Sequence, residues 1–487
     1  VARYARTHGP FLPEEVAHRL GLGVAVVAQT LARLVGEGRV VEGEFRPGGT
    51  GREHIDVEVL RRLRRMSLAA YRKEIEPAPV EVLARFAHAW HGIGPSGPRQ
   101  ADLDSLLKVV EQLQGAPLPA SALERQILAA RLPGYQPGLL DQLGASGEIV
   151  WAGAGALGSD DGWIQLALAD QAPAVLTRPE GFEPSPEAAS ILKALEGGGA
   201  MFFRQLAAAS GSTDDTELLL SLWELVWAGL VTNDTFAPLR ALVSGGRNAP
   251  STRSSSRRRG PSFPSRLGPP AGQGRWSLIE TVGQESTRRL HHLAQRLLER
   301  HGIVTRGAVM AERIPGGFAS VYPVLKAMEE SGRCRRGYFI DGLGGAQFAM
   351  AGAVDRMRAL VDAPRDELQT QVLAATDPAN VYGAALPWPE RAGGHRAGRK
   401  AGALVVIVAG ELVLYVEKGG RTLLSYSDDD RLLAPAIDAL ALAARDGMLG
   451  RLTVQKADGE DIEDTPFAAA LLDAGFRLTS RGLRLRA

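Results

Sequence analysis

Arginine and aromatic residues recur at the tips of the predicted turns and hairpins, where a protein can reach a nucleic-acid backbone. Guanidinium groups form paired hydrogen bonds with phosphates, and aromatic rings stack on unpaired bases. The recurrence predicts a nucleic-acid-binding set made of Arg46, Arg52, His54, Arg131, Tyr135, Arg306, Arg313, Arg333, Arg335, Arg336 and Tyr338. At any single position, a solvated side chain with no ligand is at least as good an interpretation.

The sequence lacks the patterns that hold metals or nucleotides. It has no G-x-x-x-x-G-K-[ST] loop and no H-E-x-x-H motif, and the adjacent His291 and His292 cannot converge on one metal from a helix. Cys334 is the only cysteine, which excludes a disulfide framework, and we expect it to be a small core residue on a strand. The run 428–430 of three aspartates precedes a predicted helix and favours capping. We therefore expect neither a metal nor a cofactor in this chain.

Charge is almost balanced over the 487 residues, with 56 basic and 55 acidic side chains and a net charge of +1. A globally basic protein is excluded, so a nucleic-acid partner would require positive charge sorted onto one face. No apolar run approaches 18 residues and no secretory signal is present. We expect a cytoplasmic, nucleoid-associated protein without a membrane partner. Because the sequence starts at Val1 and enters helical sequence at once, we expect a fragment of a longer protein.

These residues are positioned by a loose internal repeat of helix, turn, helix, strand and glycine-rich hairpin. In the first copy, residues 13–20 and 24–35 are the predicted helices, and Arg46–Arg52 is the hairpin tip. This order is the layout of a winged helix. After Asp377 the pattern changes to β-branched runs at 403–408 and 412–416, which predict a hairpin followed by alternating helices and strands.

We predict an α+β protein of tandem winged-helix domains followed by a C-terminal β-barrel-like module. The segment 61–115 is helical in pattern and is either a degenerate winged helix or a separate helical stretch. The predicted winged helices are 1–60, 116–180, 181–242 and 277–375, and the β-barrel-like module is 376–487.

A linker is predicted at 243–276. Residues 243–275 contain seven arginines and no acidic residue, with many Ser, Pro and Gly, and so cannot bury enough apolar surface to fold alone. The segment is interpreted as a flexible tether. The alternative is an arginine-rich arm that binds phosphates nonspecifically.

Several stretches resemble the region beyond the helicase core of bacterial long-form Lhr, the "large helicase-related" proteins. They are 8–11 (HGPF), 40–49 (VVEGEFRPGG), 60–67 (LRRLRRMS), 147–155 (GEIVWAGAG), 336–349 (RGYFIDGLGGAQFA) and 377–389 (DPANVYGAALPWP). The last two are the most specific, and the resemblance spans essentially the whole chain. It implies a C-terminal region that is also similar to the helix-turn-helix DNA glycosylases of the AlkZ type.

The resemblance implies a role in DNA repair beside an ATP-dependent 3′→5′ helicase core. ATP and Mg²⁺ are expected only in that core, which is missing from this sequence. The implied partners are single-stranded DNA, an RNA:DNA hybrid, the protein's own N-terminal helicase core and further copies of the chain. The helical residues Leu218, Leu219, Leu222 and Trp223 predict an apolar face for such a homo-oligomer.

Two functions remain open at this point. The chain is either a non-catalytic nucleic-acid-binding and assembly region, or a uracil-DNA glycosylase that acts on single strands. A glycosylase needs a pocket and a polar group beside the flipped nucleotide. Asp341 and Asp377 are the candidate catalytic residues, with a turn residue and a helix cap as their structural interpretations.

Overall fold

The computed structural model describes residues 1–46, 49, 51–74, 77–245, 268–280, 286–361, 369–391, 395–447 and 452–485. It divides the chain into two units. The first comprises Val1–Pro77 and Leu325–Phe339, and the second comprises Ala78–Val324 and Ile340–Ala487.

The N-terminal segment is a helix-turn-helix followed by a two-stranded hairpin. Its elements are α1 (Ala2–Ala5), α2 (Pro13–Leu20), α3 (Val24–Gly36), β1 (Val40–Gly43), β2 (Glu53–Asp56) and α4 (Val57–Glu74). Gly21 ends α2 at φ +63°, a conformation that glycine adopts without strain. On α3, the predicted stripe of Val27, Leu31 and Leu34 is buried. The predicted tip of the wing at 47, 48 and 50 lies outside the described residues.

The next segment contains a three-stranded antiparallel sheet of order β3-β5-β4. Its elements are α5 (Val80–Trp90), α6 (Leu103–Leu113), β3 (Leu118–Pro119), α7 (Ala120–Ala122), a π-helix (Leu123–Leu128), α8 (Ala129–Arg131), α9 (Pro137–Ala145), β4 (Ile149–Ala156) and β5 (Gly162–Leu168). The π-helix lies between α7 and α8 and interrupts an otherwise α-helical stretch. Such single-turn insertions in α-helices are frequent at functional sites.

A third segment shares its core with the second. Its elements are α10 (Ala172–Val175), α11 (Pro186–Leu195), β6 (Met201–Phe202), α12 (Phe203–Ser210), α13 (Asp215–Trp227), β7 (Val231–Asn233), α14 (Ala237–Val243) and β8 (Arg275–Leu278). The sheet order is β6-β8-β7. Trp151, Trp223 and Trp276 pack together with Phe236, so the two segments bury one continuous aromatic cluster.

Two expectations are wrong in this third segment. The predicted linker does not extend to 276, because Arg275 and Trp276 belong to β8 and the Trp276 side chain is fully buried. Residues 246–267 of that linker lie outside the described part. The supposed oligomerisation face is also wrong, since Leu218, Leu222 and Trp223 are buried inside the chain.

The following elements are α15 (Ser286–His301), β9 (Ile303–Val304), α16 (Arg306–Ala311), α17 (Gly317–Glu330), β10 (Cys334–Gly337), β11 (Gln347–Met350) and α18 (Ala353–Val361). Strand β10 belongs to the first unit. Within the second unit, β9 and β11 pair antiparallel, with Phe348 opposite Val304. Cys334 is buried on β10, as predicted.

The C-terminal module has a six-stranded sheet of order β12-β13-β14-β15-β17-β18 and a three-stranded sheet of order β16-β20-β19. Its elements are β12 (Thr370–Ala374), β13 (Leu404–Val408), β14 (Glu411–Val416), β15 (Thr422–Ser425), α19 (Asp430–Arg445), β16 (Leu452–Val454), β17 (Lys456–Ala457), β18 (Glu460–Asp461), α20 (Phe467–Asp473), β19 (Arg477–Thr479) and β20 (Gly482–Leu485). The β13–β14 hairpin and the cap at Asp429 are confirmed. The chain is therefore α+β, as predicted. Within its described part, no helix combines the length and apolar character needed to cross a bilayer.

Candidate nucleic-acid interface

Arg46 and Arg52 lie on the wing, but carboxylates already compensate their charge. Glu53 is almost fully buried and accepts hydrogen bonds from the backbone N–H groups of Phe45 and Arg46, at 3.0 and 2.9 Å. The Arg46 guanidinium also donates to this carboxylate and forms a second ion pair with Glu15 at 3.3 Å. Arg52 is 82% exposed and pairs with Glu42 at 3.3 Å. The wing therefore presents little uncompensated positive charge.

His54 is not a surface residue, so its predicted role in binding is wrong. It is buried on β2 and exchanges two backbone hydrogen bonds with Phe11. The two rings stack with centroids 6.4 Å apart. Burial lowers the pKa of His54, which keeps the imidazole neutral at pH 7.

The strand around β10 exposes part of the predicted set. Arg333 and Arg335 are exposed, and the Tyr338 side chain is 62% exposed. Arg336 is half-buried and pairs with the buried Glu329 at 3.3 Å, so its charge stabilises the first unit. Arg335 and Tyr338 are the members of this group best placed to contact a strand of nucleic acid.

Sequence reasoning missed an exposed basic element, helix α4. Its arginines Arg61, Arg62, Arg64 and Arg65 are all exposed. The signal was present in the sequence as four arginines within the eight residues 60–67, a stretch that we used only for family resemblance.

Positive charge is sorted between the two units. The first unit contains 17 basic and 12 acidic residues, and the second contains 39 basic and 43 acidic residues. The near-neutral chain therefore divides into a basic part and an acidic part. An excess of positive charge in one part of the chain is a requirement for sequence-independent nucleic-acid binding.

Arg306 and Arg313 lie in the second unit and differ in their surroundings. Arg306 is exposed at the start of α16. Arg313 has φ +56°, and its guanidinium lies 4.1 Å from the centroid of the Trp163 ring. This cation–π contact holds Arg313 against the protein.

Tyr135 is partly buried and makes an internal contact rather than offering a free stacking surface. Its hydroxyl donates to Glu124 at 2.8 Å, and the same carboxylate accepts from Arg240 at 3.1 Å. Burial raises the pKa of Tyr135. The side chain ties the π-helix to the turn before α9.

Arg131 and Asp377 form a fully buried ion pair in the second unit, which overturns the predicted role of Arg131 in binding. The two Nη atoms of Arg131 donate to the two carboxylate oxygens of Asp377 at 2.8 and 2.7 Å. Both side chains are 0% exposed. Asp377 also accepts the backbone N–H of Ala379 at 2.8 Å. Its carboxylate is paired with Arg131 and fully buried, so substrate cannot reach it in this arrangement.

Two buried histidines border this ion pair. Arg131 Nη2 donates to His91 Nδ1 at 3.1 Å, and because arginine can only donate, the His91 ring is neutral with its proton on Nε2. Burial holds the pKa of His91 well below its usual value. Burial lowers the pKa of His88 to about 4.

A small cavity lies close to Asp377, lined in part by Thr376, Arg399, His301 and Glu312. Its volume is about 20 Å³, which suits one water molecule and is far too small for a nucleobase. Burial tends to raise the Glu312 pKa, but Arg300 and His301 outweigh it and lower the value to about 2. The paired groups around this cavity therefore have a structural role in the second unit.

Asp341, the other candidate catalytic residue, is exposed. Its carboxylate accepts the backbone N–H of Gly342 at 2.8 Å within the same turn. It therefore has the geometry of a turn residue that remains accessible. No group of three or more His, Cys, Asp or Glu suited to a metal occurs in the part of the chain that the structure describes.

Comparison with known proteins places two segments within one family. Residues 283–369 and 78–169 each match a winged-helix domain of the large helicase-related protein. The chain is 46% identical over 507 aligned residues to "Lhr helicase/probable uracil glycosylase" of Mycolicibacterium smegmatis, with 100% of the chain covered. It is 38% identical over 514 aligned residues to "Lhr helicase/uracil glycosylase" of Escherichia coli, with 99% covered.

The chain spans 33% of the length of each of these relatives. Both matched domains are winged helices, in agreement with the helix, strand and hairpin order described above. The chain therefore belongs to the large helicase-related family.

Proposed function

We propose that this chain is the nucleic-acid-binding and assembly region of an Lhr-type helicase. It binds the backbone of single-stranded DNA without reading sequence, while an ATP-driven core elsewhere in the same polypeptide translocates 3′→5′. ATP and Mg²⁺ belong to that core. The observation that carries the proposal is the excess of basic over acidic residues in the first unit, 17 against 12.

Salt titration of binding tests this proposal. Fluorescence anisotropy of a labelled 30-nucleotide oligo(dT) would be measured between 50 and 400 mM KCl. Each phosphate contact releases counterions, so the logarithm of the association constant should fall linearly with the logarithm of salt, by about 0.7 per contact. Oligonucleotides of mixed sequence should bind with the same affinity, because phosphates carry no sequence information.

Two results would contradict the proposal. One is the absence of binding at 50 mM KCl by a chain whose circular dichroism shows that it is folded. The other is an affinity that depends on sequence but not on salt. A single-stranded RNA and an RNA:DNA hybrid of the same length complete the series, because an RNA:DNA hybrid is the second partner that we propose.

A second candidate function is uracil removal from single-stranded DNA, which is supported by the names of the two relatives. In this hydrolysis, the oxygen of water bonds to C1′ of the deoxyribose, the bond from C1′ to N1 of uracil breaks, and uracil leaves with one proton of that water. Of the two candidate carboxylates only Asp341 is exposed, since Asp377 is buried against Arg131. If the chain is a glycosylase, Asp341 is the candidate that can reach DNA.

The activity test uses a uracil-containing single strand, followed by alkaline cleavage at abasic sites. Cleavage by the wild-type chain and its loss in Asp341→Asn would support this function and this residue. Cleavage that persists in Asp341→Asn would exclude Asp341. No cleavage by the folded chain would leave binding as the function of this region.

A further inference from the structure

The position of the binding surface within the first unit follows from what its elements expose. In many winged helices the second helix of the helix-turn-helix enters the major groove. Here the exposed residues at the turn and at the start of α3 are apolar: Leu20, Leu22, Val24 and Val26 are 43 to 56% exposed. Apolar side chains cannot bind phosphates, and the wing arginines are paired with carboxylates. The usual binding face is therefore poorly suited to a nucleic-acid backbone.

Helix α4, in contrast, exposes basic side chains. Arg61, Arg62, Arg64 and Arg65 are exposed, and only Arg61 has a carboxylate within 4 Å among the described residues, Glu58 at 2.5 Å. Arg62 and Arg65 are three positions apart, which places them on one face of the helix. Among the described residues, these two adjacent arginines have no carboxylate within 4 Å.

Two open hollows adjoin this face. One, of about 540 Å³, is lined by four arginines, Arg6, Arg39, Arg61 and Arg62, together with Asp56 and Glu58. The other, of about 480 Å³, is lined by Glu58, Arg62, Arg65 and Met66. Arg62 lines both hollows, so they form one continuous basic surface along α4.

The acidic groups of this surface are already engaged. Asp56 accepts the backbone N–H of Glu58 at 2.9 Å, at the start of α4, and Glu58 pairs with Arg61. Neither carboxylate lies within 4 Å of the Arg62 or Arg65 guanidinium. The exposed Met66 and Leu63, at 59 and 36%, add apolar contact area of the kind that unpaired bases and sugars can cover. In a duplex the bases are stacked inside, so this mixture favours a single strand.

We propose that the phosphodiester backbone of a single nucleic-acid strand lies along α4, with phosphates at Arg62 and Arg65. Arg6 lines the adjoining hollow and can contact a further phosphate, whereas Arg39, in the same hollow, pairs with Glu37 at 3.5 Å. This inference rests on the proposed function and deepens it, because it names the surface. It assigns the contact to α4 instead of the wing or the recognition helix. Strand β10, which carries Arg335, packs beside α4 in the same unit and extends the surface.

The test compares two double variants that each remove two positive charges from the first unit. Arg62→Ala with Arg65→Ala removes the α4 contacts. Arg3→Ala with Arg19→Ala is the matched control, since both residues are exposed on α1 and α2, have no carboxylate within 4 Å among the described residues and lie outside both hollows. Affinity for the labelled 30-nucleotide DNA would be measured across the KCl series, with thermal melting to confirm folding.

Loss of two phosphate contacts should weaken binding about 25-fold at 0.1 M salt and flatten the salt slope by about 1.4. The control should stay within about twofold of the wild type, with the same slope. RNA of equal length reports whether the site distinguishes the two sugars.

Equal losses in both double variants would mean that only the overall charge of the unit matters, and would overturn the proposal. Wild-type affinity in the α4 double variant would also overturn the proposal. If the wild-type chain does not bind DNA at all, the proposed function itself fails. If α4-dependent binding occurs to vesicles of phosphatidylserine and phosphatidylcholine but not to DNA or RNA, the surface binds a membrane and the proposal is wrong.

Discussion

At the residue scale, Arg131 and Asp377 stabilise each other where neither side chain contacts water. Removing one partner of such a pair leaves an uncompensated buried charge, which costs far more than the pair contributes. Arg131→Met should therefore lower the free energy of unfolding by about 3–5 kcal/mol, measured by urea denaturation. Arg52→Ala removes an 82% exposed arginine and should change it by less than about 0.5 kcal/mol. Equal stability of the two variants would contradict the buried pair.

The buried histidines predict a loss of stability on mild acidification. The pKa of His88 falls to about 4 in the folded chain from an ordinary value of 6.5, so the unfolded chain takes up a proton first as the pH falls. Stability should therefore decrease from pH 6.5 towards pH 4. His88→Leu should reduce this slope by up to about 1.4 kcal/mol per pH unit, measured by urea denaturation between pH 7 and 5. An unchanged slope would mean that folding does not lower the pKa of His88.

Tyr338 provides a test that separates stacking from general electrostatics. Tyr338→Ala should weaken single-strand binding about fivefold or more, because base–aromatic stacking contributes about 1–3 kcal/mol. Tyr338→Phe keeps the ring and should bind like the wild type. The salt slope should be the same in both variants, since neither removes a charge. Equal affinity of the Ala and Phe variants would show that this ring does not stack on a base.

At the element scale, one glycine sets the distance between β4 and α13. A Cβ atom at Gly153 would lie 2.0 Å from the carbonyl oxygen of Val226, so any side chain must separate the strand from the helix. Gly153→Ala should destabilise the chain by several kcal/mol. Gly138 on α9 is the control, because a Cβ there meets nothing within 4 Å. Gly138→Ala should stabilise by up to about 1 kcal/mol. Thermal melting of the two variants in opposite directions is the expected result.

The elements that the sequence predicts best are those defined by local chemistry. Pro13 and Gly21 bound α2, apolar spacing predicts α3, and Asp429 caps α19, because each signal lies within a few residues of its effect. Contacts between distant positions were not predictable. Arg131 pairs with Asp377, which lies 246 residues later in the sequence. No local pattern distinguishes Arg131 from an exposed arginine at a turn.

The residues of the candidate site were likewise predictable only where the signal is local. Exposure of Arg335 and Tyr338 agrees with their predicted placement around a hairpin strand, whereas His54 is buried because its strand packs against Phe11. Helix α4 was overlooked because a run of arginines on a helix is usually only a solvated face. Its significance depends on the neighbouring Arg6 and Arg39, which are far from it in sequence.

At the scale of the whole molecule, self-association stays a prediction. The side chains first suggested for it are buried, but Phe202 and Leu220 in the third segment are 55 and 69% exposed. Light scattering at micromolar concentration should give a multiple of the 51.8 kDa monomer mass. The monomer mass itself would contradict the prediction. Phe202→Ser with Leu220→Ser tests whether these two residues contribute, with Leu442→Ser, 57% exposed on α19, as a control.

The pairing of β7 with β8 has a consequence for how the chain can be altered. Asn233 donates to the carbonyl of Gln273 at 2.9 Å, and Asp234 pairs with Arg275 at 2.6 Å. These contacts hold Asp234 next to Arg275, which is 41 residues further along the chain. The cost of closing a loop grows only with the logarithm of its length, by about 0.6 kcal/mol per doubling. Because Phe236 and Leu239, at and in α14, are buried, added sequence should follow α14, where a longer loop costs little as long as β7 and β8 pair. A fluorescent reporter fused there would leave both ends of the chain free for its partners.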